Sequence, residues 1–284
     1  MGFSYLCDYV KLKDRGGYMN APIGVIDSGV GGLTVTKEIM KVLPHETIYY
    51  IGDTARCPYG PRNKQEVKKF TWQMAKALQR LNIKMLVIAC NTATAVALES
   101  LQQKLPIPVI GVINPGARAA EKKTKRNEIV VLATEGTIKS GAYENALLSL
   151  SSKAKIIPLA CPTFVPLVES GEYDGQFAFD LVANGLKPLA NKKFDTVILG
   201  CTHYPIIQQH IEKVVGPDVH VLSSAEETAK EVGEWLAFNN QLNTSGEEPH
   251  HIFYTTGSMP IFRMIAEKWL EHNHLDVRRI KLEK

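Results

Sequence analysis

The sequence lacks most of the features that mark out specialised classes of protein. Aromatic residues make up only 8% of its 284 positions, with three tryptophans among them. No apolar run approaches the roughly 20 residues that a membrane-crossing helix needs, so no membrane partner is expected. The 15 prolines and 21 glycines are scattered, and no low-complexity tract occurs. Charge of one sign is scarce too: the net charge is +4. The basic cluster Lys122-Lys123-Thr124-Lys125-Arg126 has no interleaved aromatics, which favours a solvated face over a nucleic-acid groove. No nucleic-acid partner is therefore expected.

Cysteine is sparse as well. Cys7, Cys57, Cys90, Cys161 and Cys201 form no even, spaced framework, so reduced cytosolic thiols are expected in place of disulfides. There is no Cys-x-x-Cys, and Cys201-x-His203 is tighter than usual zinc-ligand pairs, so no metal is expected. The first twenty residues carry Asp8, Lys11, Lys13, Asp14 and Arg15 without an apolar segment. They read as a tail and not as a signal peptide, with Met19 as a candidate start and the cytoplasm as the expected compartment.

What is present is an ordinary soluble composition, 45% hydrophobic and 22% charged, at a length that suggests roughly two domains. The chain is organised around Leu86-Val87-Ile88-Ala89-Cys90-Asn91-Thr92-Ala93-Thr94-Ala95. A short apolar run bounded by cap signals reads as a buried parallel strand that delivers Cys90 to a helix N-terminus. Ligands of parallel α/β sheets bind at the carboxyl ends of strands, and a helix dipole there favours thiolate over thiol. The pattern recurs in Val197-Ile198-Leu199-Gly200-Cys201-Thr202-His203-Tyr204-Pro205, with Pro at the start of the next helix. One such cysteine would read as a core residue; two at matching strand ends read as chemistry.

From Ile23 onward strand and helix alternate. Four strand starts near 23, 48, 85 and 107 map onto 129, 156, 196 and 219 with a slowly growing offset. This predicts two similar, doubly wound α/β domains with parallel sheets, a duplicated unit. The first is assigned to residues 21–114 plus 225–284 and the second to 115–224, the closing piece packing back on the first. A helix is expected to begin near Ser140, and a last strand near Val277–Leu282. Domain joints often form substrate clefts, so both cysteines should face one crevice.

Several neighbours of the thiols are candidates. The loop Asp27-Ser28-Gly29-Val30-Gly31-Gly32 opens a helix, and its amides suit a small carboxylate. A dinucleotide site is disfavoured, because Thr34 replaces the third glycine of G-x-G-x-x-G and Asp27 would repel a pyrophosphate, although Asp53 ends the next strand. Asp27 either caps a helix or assists an ammonium or thiol. Tyr59, in a Pro-Gly-Pro loop, either packs or contacts a ligand. His203 lies two residues past Cys201, where an imidazole can accept or hold a proton. Two thiols on opposite walls suit inversion of a stereocentre by proton transfer, one acting as base and the other as acid; a free thiol's pKa of about 8.5 is low enough for that.

Together, Val25-Ile26-Asp27-Ser28-Gly29-Val30-Gly31-Gly32-Leu33-Thr34-Val35, Gly52-Asp53 with Cys57-Pro58-Tyr59-Gly60, Ala89-Cys90-Asn91-Thr92-Ala93 and Gly200-Cys201-Thr202-His203-Tyr204-Pro205 resemble bacterial glutamate racemases. The resemblance covers residues 21–284. It implies a cofactor-independent racemase that supplies D-glutamate for peptidoglycan, built as two α/β domains with the site between them, often as a homodimer. It implies Cys90 and Cys201 as the acid/base pair, assisted by Asp27 and His203. Asp27, Ser28, Tyr59, Gly60, Asn91, Thr92, Thr202 and His203 would contact glutamate or support the thiols. It further implies that Cys90 with Asp27 serves D-glutamate and Cys201 with His203 serves L-glutamate, while Cys161 is structural. Aspartate racemase, or a related two-cysteine isomerase, is the nearest enzymatic alternative. A nucleotide- or metal-binding regulator is the alternative outside enzymes.

Overall fold

The computed structural model describes residues 19–283; of the tail read from the sequence, only residues 19 and 20 lie among them. Strands β1 (Ile23–Asp27), β2 (Ile48–Gly52), β3 (Met85–Ile88) and β4 (Val109–Gly111) alternate with helices α1 (Leu33–Val42), α2 (Lys64–Gln79) and α3 (Asn91–Lys104). These strands are buried on both faces, as continuous apolar runs in a helix-covered parallel sheet should be. β1 and β3, for example, are buried at every position.

After α4 (Ile113–Lys123) the pattern begins again. It runs through β5 (Glu128–Ala133), α5 (Glu135–Ser140), α6 (Ala142–Leu150), β6 (Lys155–Ala160), α7 (Phe164–Ser170) and α8 (Gly175–Leu186). It closes with β7 (Thr196–Gly200), α9 (Gln208–Val215) and β8 (His220–Ser223). The first sheet contains the order β2-β1-β3-β4 and the second is β6-β5-β7-β8, all parallel. Substituting each strand of the first set by its counterpart in the second reproduces the order. The expected two-sheet, doubly wound α/β architecture is therefore present.

The last fifth of the chain returns to the first sheet. α10 (Ser224–Phe238) packs on α1 and α4, and β9 (Ile252–Thr255) pairs with β2. After α11 (Met259–Leu270), β10 (Asp276–Arg279) pairs with β9 at the sheet edge. The apolar cores lie on the two faces of each sheet, and Trp269 of α11 packs against one core of each. Beneath the first sheet, Lys84 pairs with Glu46 at 2.6 Å with both side chains buried. Lys84 Nζ also donates to the carbonyls of Met19 and Gln241.

Three boundaries differ from the sequence reading. The helix expected near Ser140 starts at Glu135, where the Thr134 side chain accepts from the Thr137 amide. Gly141, at φ +68°, then breaks it into α5 and α6, a left-handed conformation that glycine adopts without strain. The helix after Cys201 opens with a tight 3₁₀ turn over Tyr204–Ile207. The final strand ends at Arg279 and does not extend to Leu282. Among the described residues, no helix is long and apolar enough to cross a membrane.

Candidate active site

Register places the chemistry. Asp27 pairs with Gly52 and Ile26 with Ile88, so the segments after β1, β2 and β3 emerge together at the carboxyl edge of the first sheet. In the second sheet Ala133 pairs with Gly200 and Ala160, which brings Thr134, Cys161 and Cys201 to the corresponding edge. These edges meet at a narrow pocket lined by both Cys90 and Cys201. Ser28, Tyr59, Gly60, Asn91, Thr92, Thr202 and His203 line it as well. Of the ten residues singled out from the sequence, only Asp27 does not reach the pocket wall.

Cys90 is the N-cap of α3: its sulfur accepts from the Ala93 amide at 3.5 Å and lies 3.6 Å from Ser28 Oγ. The expectation that the helix end would hold this thiol down in pKa fails. Burial, and then the nearby charge of Asp27, push Cys90 up to about 12, against the smaller help from Ala93 and Ser28. Loss of hydration outweighs a single helix terminus.

Cys201 has a different partner. Its sulfur lies 3.8 Å from His203 Nδ1, and His203 Nε2 lies 3.1 Å from Glu169 Oε1. Burial alone would push His203 down. Its hydrogen bonds to Cys201 and Glu169, with their charges, win and raise it to about 10. Glu169 is pulled the opposite way: burial would raise it, but the bonds from His203 and Cys57 hold it below the usual carboxylate range. His203 is thus a protonated imidazolium at neutral pH, set between a sulfur and a carboxylate.

Asp27 sits behind the wall, fully buried. It accepts from the Gly29 amide at 2.9 Å and from Thr202 Oγ1 at 3.3 Å. It does not cap α1, whose cap position is Gly32 without a side-chain bond. Burial raises its pKa, opposed first by the His203 charge. The glycine loop is not the open anion cradle suggested by its sequence. The Gly29 amide is taken by Asp27, and a Cβ on Gly31 would strike Thr202 Oγ1 and His203. The glycine there lets the turn carrying Cys201 approach the loop facing Cys90.

Tyr59 is anchored from behind. Its hydroxyl donates to Asp53, which also holds Arg56 Nε at 2.7 Å and Thr256 Oγ1 at 2.8 Å. Its ring packs on Phe70, so the hydroxyl is unavailable to a ligand and the residue contributes shape to the pocket. The loop's Gly60 carbonyl accepts from Gly136 across the cleft at 3.0 Å. Asn91 is held through Oδ1 by Tyr143 Oη at 2.7 Å, while its buried Nδ2 has no protein partner. An orphaned buried donor is costly, and this one belongs to a pocket-lining residue. Thr92 bonds Thr134 at 2.9 Å and Thr137 at 3.1 Å, again joining the two units.

Three residues at the site escaped the sequence reading. Thr134 follows β5 as Cys90 follows β3, so the strand-end rule, applied to β5, would have found it. Glu169 lies on α7 outside any motif, and Cys57 drew notice only as part of a loop; their roles appear through tertiary contacts alone. Cys161 is buried, and its carbonyl accepts from Tyr204 Oη at 3.0 Å. Among the described residues, no group of three or more His, Cys, Asp and Glu side chains is placed to hold a metal ion.

Two parallel α/β units presenting one thiol each to a shared pocket are the architecture of an amino-acid racemase. The family model of Asp/Glu/hydantoin racemases matches residues 23–232, and the chain belongs to the glutamate racemase branch of that family. A glutamate racemase of Lysinibacillus sphaericus is 76% identical over 265 residues, covering 93% of this chain and 100% of that one. The crystal structure of glutamate racemase isoform RacE1 from Bacillus anthracis matches with a TM-score of 0.90 at 48% identity, over 93% of this chain and 98% of that one. The glutamate racemase of Francisella tularensis, solved in complex with D-glutamate, matches with a TM-score of 0.87 at 35% identity, over 93% and 99%.

Proposed function

We propose that this racemase interconverts L- and D-glutamate without a cofactor, Cys90 and Cys201 exchanging the roles of base and acid on opposite faces of the α-carbon. The observation that carries this is the pair of thiols lining one pocket from two units of matching strand order. A planar, carbanion-like α-carbon between them takes its new proton from the thiol opposite the one that removed the old. The protonated His203 beside Cys201 can give that sulfur a proton or balance its charge. Near Cys90, the substrate ammonium would supply the positive charge that the protein does not, offsetting Asp27 and burial. Asn91 Nδ2 is a ready donor to a substrate carboxylate. The Ser28 hydroxyl, on the pocket wall, is a further neutral donor.

The units are residues 21–114 plus 225–284 and residues 115–224, a division that follows sheet membership. Glutamate over aspartate is the preferred substrate, supported by the relatives' names and extents of match. The product supplies cell-wall synthesis in the cytoplasm, and the enzyme acts as a homodimer. The deciding experiment incubates the dialysed protein with L-glutamate and, separately, L-aspartate in D2O, following optical rotation and α-deuteration. Loss of optical activity from glutamate is the expected result. Turnover of aspartate at a comparable rate, or a requirement for an added cofactor, would refute the assignment.

A further inference from the structure

Cys57 lies in the loop after β2, on the unit that carries Cys90, and does not line the pocket. Its thiol donates to Glu169 Oε1 at 3.2 Å. The same oxygen is 3.1 Å from His203 Nε2. One carboxylate oxygen of the second unit therefore receives two donors, a thiol from the first unit and the imidazole that faces Cys201. Cys57 is also wedged against the Asp27 loop: a Cβ on Gly29 would lie 2.9 Å from its sulfur.

We infer that Cys57 is a positioning residue for the Cys201 half of the reaction, its S–H sharing Glu169 Oε1 with His203 and thereby fixing the carboxylate that orients and charges the imidazole. This rests on the two-thiol reading above. Sulfur suits the task because Cys57 stays a thiol: burial first, then the Glu169 charge, push its titration far above the usual range. It is thus a neutral donor across the working pH range and does not compete with Cys201 for a proton. The charged or titratable groups facing this cluster are few. Glu169, Asp27 and Cys90 act on Cys57, Cys57 and His203 act on Glu169, and Cys201, Glu169 and Asp27 act on His203.

The consequence is a measurable coupling. Without the Cys57 donor, Glu169 loses one of the two bonds that stabilise its ionised form, so it protonates at higher pH. The more basic carboxylate then holds the imidazolium proton more firmly. Both limbs of the kcat/KM profile should move upward, by about one pH unit for the loss of one charge-assisted hydrogen bond.

The test compares wild type, Cys57→Ala and Cys57→Ser, measuring kcat and KM for L-glutamate across the pH range in which each stays folded. The alanine variant should show the upward displacement and a lower kcat with little change in KM, because Cys57 does not touch substrate. The serine variant, which restores a donor, should return the limbs toward wild type. An alanine profile that overlays wild type in shape, or a serine variant as displaced as alanine, overturns the inference. If Cys57→Ala does not fold, Cys57→Val takes its place as the donorless variant under the same criteria. Absence of glutamate racemisation in the wild type would instead refute the function, so the two failures are distinguishable.

Discussion

Thr202 Oγ1 donates to Asp27 Oδ2 at 3.3 Å, across the cleft between the turn that carries Cys201 and the loop that faces Cys90. Asp27 is fully buried and has few donors, so the bond is both a tie between the units and one of the contacts that oppose the upward push of burial on this carboxyl. Thr202→Val keeps the shape and removes the donor. It should destabilise the protein by about 1–3 kcal/mol and lower kcat/KM for glutamate. Thermal melting with steady-state kinetics checks both, and a variant equal to wild type in each would show that the bond is incidental.

The thiols give the largest expected effects. Cys90→Ala and Cys201→Ala should each lower racemisation by about a hundred- to ten-thousand-fold, the usual contribution of a positioned acid or base. The change in packing should cost about 1.5 kcal/mol or less, so circular dichroism should report a folded protein. Near wild-type turnover by either variant would leave the second sulfur without a chemical role.

Isotope exchange tests the division of labour. In D2O the product enantiomer should carry deuterium at the α-carbon from the first turnover, because the group that returns a proton is not the one that removed it. Proton NMR of the product, taken early in the reaction, makes the measurement. Substantial return of the original hydrogen would indicate one base acting on both faces.

The pH dependence of stability has a definite sign at His203. Its folded pKa is about 10 against a reference of 6.5, so its contribution is fully present below pH 6.5 and is lost as pH rises through about 10. The melting temperature of the wild type should therefore fall across this window more steeply than that of His203→Asn. Parallel curves for the two proteins would mean that the imidazole pairs equally well folded and unfolded.

Under the first sheet, Lys84 and Glu46 form a buried pair far from the pocket. Lys84→Met strands the carboxylate, and removing one partner of such a pair costs about 3–5 kcal/mol. Denaturant unfolding should register that loss while kcat and KM, measured where the variant remains folded, stay near wild type.

Much of this arrangement was legible in the sequence, for a local reason. The runs ending at Asp27, Cys90 and Cys201 are apolar throughout, which marks strands buried on both faces, and a parallel sheet sends their ends to one side. Chain order and spacing thus sufficed to bring the two thiols together and to expose the repeated unit. Glu169 and Cys57 were not legible, because 112 positions separate them and neither lies on a periodic or capping pattern. The Cys90 titration was misread for a related reason. A cap position is visible in sequence, whereas the desolvation that outweighs it depends on what closes over the sulfur.

Trp269 stands with its indole edge-on to His203, the ring centroids 6.5 Å apart, and packs against cores of both sheets. The protein therefore carries its own optical reporter. An imidazolium at that distance quenches indole emission more than a neutral ring does, and separation of the units would relieve the quenching. With Trp72 and Trp235 replaced by phenylalanine, the light from one side chain would record both the protonation of the histidine beside Cys201 and the opening of the cleft, in real time and without a label.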